Sequence, residues 1–166
     1  MLTALKTKPL LAALCLLAAA PTFAAGEHDH HHGGGEQGQY SFGSPAQATN
    51  TARTIRITAN DTPRFVAQDP LVIKKGETIQ FVITNAGEHR HKFAVGDRAS
   101  QRAHALMMKK DPDMKHDADP AVVSIAAGET KTLVWTFDKT PASPIELACH
   151  VGDHYAEGMR LGVTLK

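Results

Sequence analysis

The chain has 166 residues, 42% of them hydrophobic and 21% charged, with 18 basic side chains against 17 acidic ones and 10 histidines. A balance this close to neutral gives no electrostatic footprint for nucleic acid. The length fits one domain with a proper core and leaves little room for a second.

Residues 1–24 read as a secretory signal peptide. Lys6 and Lys8 precede an apolar run from Leu10 to Ala20, and Thr22-Phe23-Ala24 supplies small residues where a signal peptidase cuts. The run is about 11 residues, short of the roughly 20 that a membrane-spanning helix needs, and no later stretch approaches that length. The expected product is therefore exported, soluble and without a membrane span. Cleavage after Ala24 removes Lys6, Lys8 and Cys15, leaving a formal net charge of −1 and one cysteine, Cys149. In an oxidising compartment a single thiol has no disulfide partner within the chain, so it stays open to oxidation unless something occupies it. A metal ion would do that.

From Ala25 to about Asn50 the composition is His, Gly, Gln, Ser and Ala with few large apolar residues. Such a segment buries too little surface to offset its ordering entropy, and residues 25–50 are expected to form a flexible, His-rich tail. Beyond it, residues 51–166 are expected to form the folded domain. Short β-branched and aromatic stretches recur there between turn signals: Arg53–Ala59, Leu71–Lys74, Thr78–Thr84, Lys92–Val95, Ala121–Ala126, Lys131–Phe137, Ile145–Ala148 and Arg160–Leu165. Several alternate in polarity, as in Thr54-Ile55-Arg56-Ile57-Thr58, which predicts an all-β sandwich or barrel of about eight strands. Between Asp97 and Lys110, Ala99, Arg102, Ala103, Leu106 and Met107 recur at helical spacing, and Asp111-Pro112 would stop a helix. A short helical or loop insertion is expected around 97–120.

The densest chemistry lies near the C-terminus, where Cys149, His154 and Met159 follow one another at intervals of five, with Gly152 and Gly158 breaking any regular element between them. Cys149 alone reads as a small buried hydrophobe, and Met159 alone as core. Together they offer a thiolate, an imidazole and a thioether on one loop. A second imidazole would complete a trigonal His₂Cys plane with a long axial Met. His91 is the natural candidate, because it follows Asn85-Ala86-Gly87 after the strand at 78–84 and leads into Lys92-Phe93.

These residues resemble the cupredoxins, the small blue-copper proteins that include plastocyanin, pseudoazurin and azurin. Asn85-x-Gly87 with His91 and Phe93 looks like the family's upstream ligand motif, and Cys149-x4-His154-x4-Met159 looks like its downstream ligand loop. The resemblance covers roughly residues 51–166. It implies a Greek-key β-sandwich and one mononuclear type 1 copper site, with His91 and His154 as equatorial nitrogen ligands, Cys149 as the thiolate and Met159 as the axial ligand. Asn85 would tie the two ligand loops together by hydrogen bonds. Many relatives carry Pro-Gly after the Cys-His pair where this chain has Val151-Gly152-Asp153. His89 and His150 lie near the site but outside the pattern, and are expected at the surface or behind the ligands, with His150 as a route for electrons.

Two further clusters hold copper-type ligands: His28, His30, His31 and His32 in the tail, and His104, Met107, Met108, Met114 and His116 in the insertion. They are candidates for additional, weaker copper sites, although Leu106 and Met107 also read as the buried side of a short helix. A His-rich leader, a Met/His insertion and the ligand loops together resemble the periplasmic copper-tolerance cupredoxins of the CopI type. The resemblance implies a periplasmic protein that binds copper and cycles it between Cu(I) and Cu(II), with copper ions and a redox protein as partners. The rival reading is an electron carrier between respiratory or photosynthetic partners. An enzyme of the multicopper oxidase or nitrite reductase type is disfavoured, because the chain has one domain and no His-Cys-His triplet. Oxidation of Cu(I) at the same site stays open.

Overall fold

The computed structural model describes residues 40–51, 53–112 and 119–166. Among the described residues, ten strands form two five-stranded sheets. The first sheet contains β1 (Ser44–Pro45), β2 (Arg53–Asn60), β3 (Arg64–Ala67), β5 (Thr78–Asn85) and β8 (Thr130–Thr136), in the order β1-β8-β5-β2-β3. The second contains β4 (Val72–Ile73), β6 (His91–Asp97), β7 (Val122–Ile125), β9 (Ile145–Ala148) and β10 (Arg160–Leu165), in the order β4-β10-β9-β6-β7. All eight strands expected from the sequence are present, with ends shifted by a residue or two. β1 and β3 are additional. Most neighbours are antiparallel, but β2 lies parallel to β5 and β4 parallel to β10.

Alternation builds the core. Ile55, Ile57 and Ala59 of β2, Ile79, Phe81 and Ile83 of β5, and Leu133 and Trp135 of β8 are all buried, while the residues between them are exposed or half-buried. The register sets Ile55 beside Phe81 and Ile57 beside Ile83, so one sheet face presents a continuous apolar layer. Phe93, Val95, Leu147 and Val163 from the second sheet join the same cluster.

Tyr40 and Phe42 fall inside the stretch read from sequence as polar tail, yet they pack on the sandwich. Phe42 stacks on Trp135 at 5.1 Å between ring centroids, and Tyr40 meets Trp135 edge-on at 4.9 Å. The Tyr40 hydroxyl donates to Asp119 at 2.7 Å. Two large rings suffice to anchor a segment whose average composition is polar. Residues 25–39 lie outside the described residues, as do residues 1–24.

The insertion contains α1 (Arg98–Lys110). Asp97 caps it, its carboxylate accepting the Ser100 N–H at 2.8 Å, and it stops at Asp111 as expected. Its buried side differs from the expected apolar stripe: Leu106 and Met107 are exposed, and Gln101 and Met108 are buried. The reason is polar. Gln101 Nε2 donates to the carbonyls of Ala94 (3.1 Å) and Glu146 (3.0 Å), pinning the helix over β6 and β9. Arg98 adds an ion pair to Glu146 at 2.7 Å. A Cβ on Gly96 would come within 2.9 Å of Gln101 Nε2 and Ser100 Oγ, so a larger residue there would have to push these helix side chains from their places. With a helix on one face and the core on the other, β6 and β9 are buried on both sides, which is why all of Ile145–Ala148 is buried, Glu146 included, its carboxylate paired with Arg98.

Candidate metal centre

β9 and β10 are adjacent and antiparallel, with Ala148 opposite Arg160. The next residues outward, Cys149 and Met159, therefore stand at the two feet of one loop, and the Cys149 N–H donates to the Met159 carbonyl at 3.1 Å. Within the loop, the His154 N–H donates to Val151 O (3.1 Å) and the Met159 N–H to His154 O (2.8 Å). Gly152 and Gly158 take φ values of +52° and +95°, a region that L side chains rarely enter. The turn is thus built by Gly152 and these hydrogen bonds without the Pro-Gly found in many cupredoxins. It directs the His154 ring back over Cys149.

His91 comes from the start of β6, beside β9. Its ring is fully buried and 5.2 Å from that of His154 between centroids. Cys149 Sγ lies 3.5 Å from His154 Nδ1 and 3.9 Å from His91 Nδ1. The three donor atoms all lie within 4.8 Å of one another, the one such His/Cys/Asp/Glu cluster among the described residues. Bonds of about 2.0–2.3 Å from a common ion would set N and S donors about 3.5–4 Å apart, so the set fits a single ion. Two imidazoles and a thiol suit copper. Met159 is fully buried in the core cluster beside Cys149.

The electrostatics agree with that use. Burial pushes the Cys149 thiol above its ordinary range, against hydrogen bonds from the Lys92 and Val151 N–H groups. Burial, and then the neighbouring His91, lower the His154 pKa, which keeps its nitrogen lone pair available. Both shifts favour the uncharged form of the side chain, so an ion ligated by the Cys149 thiolate must displace the thiol proton.

The remaining expected residues are distributed as follows. Asn85 is fully buried; its Nδ2 donates to His89 O (2.7 Å) and Ile125 O (3.2 Å), and its Oδ1 accepts the Gly87 N–H (2.9 Å). It thus shapes the upstream loop and ties it to β7, and its hydrogen bonds do not reach the 149–159 loop. The link between the two ligand segments is the Lys92 N–H donating to Cys149 Sγ at 3.4 Å. His89 is exposed, as expected. His150 is buried, 1% exposed, because it is stacked between His104 (4.3 Å, 7° between planes) and Tyr155 (5.1 Å) with Nε2 2.6 Å from Gln101 Oε1. A cavity of about 380 Å³ opens beside it, lined by Arg102, Leu106, Met108 and Ala156 among others. Of the second candidate cluster, His104 and Met108 lie on the covered side of α1 and Met107 on the exposed side. Met114, His116 and the tail histidines lie outside the described residues.

Sequence reasoning missed Asp61. Its Oδ1 lies 3.0 Å from His91 Nε2, while Oδ2 accepts the Glu88 N–H at 2.7 Å and lies 3.2 Å from His89 Nδ1. These hydrogen bonds, the one from Glu88 foremost, hold the carboxyl well below the usual carboxylate range. Asn60-Asp61-Thr62-Pro63 carries turn chemistry that signals the β2–β3 hairpin, but nothing in it points to His91.

The architecture is a cupredoxin's. The chain aligns with auracyanin B at a TM-score of 0.53 and 20% identity, covering 75% of this chain and 96% of that one. It also aligns with the dithionite-reduced auracyanin of Roseiflexus castenholzii at 0.52 and 19%, covering 70% and 98%. In sequence it is 38% identical over 156 residues to the copper-resistant cuproprotein CopI of Rubrivivax gelatinosus, covering 89% of this chain and 91% of that protein. The CopI proteins of Pseudomonas aeruginosa (32% over 148 residues, 72% of this chain and 79% of that one) and Vibrio cholerae (27% over 137 residues, 82% and 79%) are also similar. No family model matches. The chain belongs to the CopI family of copper-resistant cuproproteins. No helix among the described residues is long and apolar enough to cross a membrane.

Proposed function

We propose that this protein binds one copper ion in a type 1 site that His91, Cys149, His154 and Met159 would hold, and serves copper tolerance in the periplasm by holding that ion and cycling it between Cu(I) and Cu(II) in one-electron exchange with a redox protein. The observation that carries the reading is the convergence of Cys149 Sγ with two imidazole Nδ1 atoms at 3.5 and 3.9 Å, in a chain 38% identical to a copper-resistant cuproprotein.

When bound, copper supplies one-electron exchange between Cu(I) and Cu(II). The protein's part is to keep the donors in place. His91 is fixed in a strand, Cys149 and Met159 at paired strand ends, and His154 by the loop's own hydrogen bonds. Such a pre-set frame holds either oxidation state with little rearrangement. The buried walls of Phe93 and the ligand segments exclude water from the thiolate and protect it from oxidation. The signal-like residues 1–24 support export.

Copper titration of the secreted protein against a Cys149→Ser variant tests the site, with one tight equivalent expected and its loss in the variant. Deleting the gene tests the role: sensitivity to added copper with normal respiration supports tolerance, while impaired respiration without copper sensitivity supports an electron carrier.

A further inference from the structure

The turn leaving β2 brings a carboxylate to the rear of His91. β2 runs parallel to β5 with Ala59 opposite Asn85, so the turn after β2 and the loop after β5 emerge at the same end of the sheet. There Asp61 touches three consecutive-loop groups at once: the Glu88 N–H, His89 Nδ1 and His91 Nε2. The His91 side chain is fully buried and that of Asp61 is 30% exposed, so the carboxylate closes the only polar edge of the ring that faces away from Cys149. Gly87 permits this contact, because a Cβ there would collide with the Asp61 carboxylate.

The chemistry of the pair selects a tautomer. A carboxylate oxygen only accepts, so the 3.0 Å contact puts the proton on His91 Nε2. A neutral imidazole carries one N–H, which leaves Nδ1 as a lone pair, and Nδ1 is the atom facing Cys149 Sγ. The exposed His89 shares the same carboxylate but is not one of the three clustered donors.

We propose that Asp61 is a positioning residue for the metal centre: it holds His91 in the Nε2–H tautomer and in the orientation that presents Nδ1, and its charge favours Cu(II) over Cu(I). The proposal rests on the copper reading of the site given above. Its two parts separate physically. Orientation and tautomer help both oxidation states alike, whereas a nearby negative charge is worth more to the more highly charged ion.

Asp61→Asn keeps the shape and one acceptor oxygen but removes the charge, and Asp61→Ala removes both. Long-range ¹H–¹⁵N NMR of the metal-free full chain reads the His91 tautomer without reference to copper. Chelator competition then reads Cu(I) and Cu(II) affinities separately. The expected result is a single Nε2–H tautomer for His91 in the native protein and a mixture in Asp61→Ala; Asp61→Asn, with one oxygen for the two N–H groups that the carboxylate serves with separate oxygens, is read for the charge alone. Cu(II) affinity is expected to fall about 10- to 100-fold in Asp61→Ala, and in Asp61→Asn the Cu(II)/Cu(I) affinity ratio is expected to drop. The proposal is overturned if His91 keeps the same single tautomer in Asp61→Ala, or if the ratio in Asp61→Asn equals the native one. The isosteric Asn variant decides the matter should the Ala variant fold poorly. A native protein that binds no copper would overturn the copper reading, and the NMR result would still decide whether Asp61 sets the His91 tautomer.

Discussion

The Lys92 N–H donates to the Cys149 sulfur at 3.4 Å, joining the strand that carries His91 to the loop that carries His154. A hydroxyl at position 149 can accept the same hydrogen bond. The metal-free Cys149→Ser variant should therefore fold, at a cost of about 1–2 kcal/mol for a buried hydroxyl in place of a thiol. Urea unfolding of the metal-free pair checks this. A folded variant ensures that any loss of copper reflects the missing ligand.

Gly87→Ala should act through Asp61. The added Cβ has to displace a carboxylate held by a backbone N–H and two imidazoles, so copper affinity should fall by an amount similar to that in Asp61→Ala. Because both changes break one contact, their effects on affinity should combine to less than the sum, and a double-mutant cycle measures the shortfall.

Asp97 links the helix cap to the N-terminal segment, accepting both the Ser100 N–H at 2.8 Å and the Ser41 hydroxyl at 2.5 Å. Asp97→Ala should cost about 1–2 kcal/mol in denaturant unfolding at pH 7. Burial alone would raise this carboxyl, but the hydrogen bonds outweigh burial and hold it below its ordinary value. A depressed folded pKa stabilises fully above the unfolded value, about 3.9, and the contribution disappears as pH falls through the lower folded value. The stability gap between native and Asp97→Ala protein should therefore be constant from pH 7 to about pH 5 and narrow below about pH 4.

Phe42 covers Trp135, the only tryptophan in the sequence. Phe42→Ala should cost about 3 kcal/mol and shift Trp135 emission to the red as water reaches the indole. Equilibrium unfolding followed by fluorescence reads both effects.

The sequence pattern revealed elements whose residues are organised locally. Alternation in Thr54–Thr58 and Thr132–Phe137 marked strands, and Cys149-x4-His154-x4-Met159 marked the loop, because β9 and β10 are neighbours in both chain and sheet. What depended on distant pairing stayed hidden. Asp61 meets His91 because β2 and β5 lie side by side in parallel register, and parallel pairing leaves no mark on either strand's own alternation. His150 is buried because α1 folds back over β9 with His104 above the ring, a contact 46 residues apart in sequence. The buried face of α1 was misjudged for a related reason: Gln101 is buried to satisfy carbonyls of β6 and β9, and polarity patterns assign a glutamine to solvent. Tyr40 and Phe42 were masked by the polar residues around them.

The absorption spectrum of the copper-loaded protein tests the central claim most directly. Thiolate ligation by Cys149 predicts an intense visible band from sulfur-to-Cu(II) charge transfer, present at one copper per chain and absent from Cys149→Ser. A colourless copper-loaded protein, or the same band in Cys149→Ser, would contradict it.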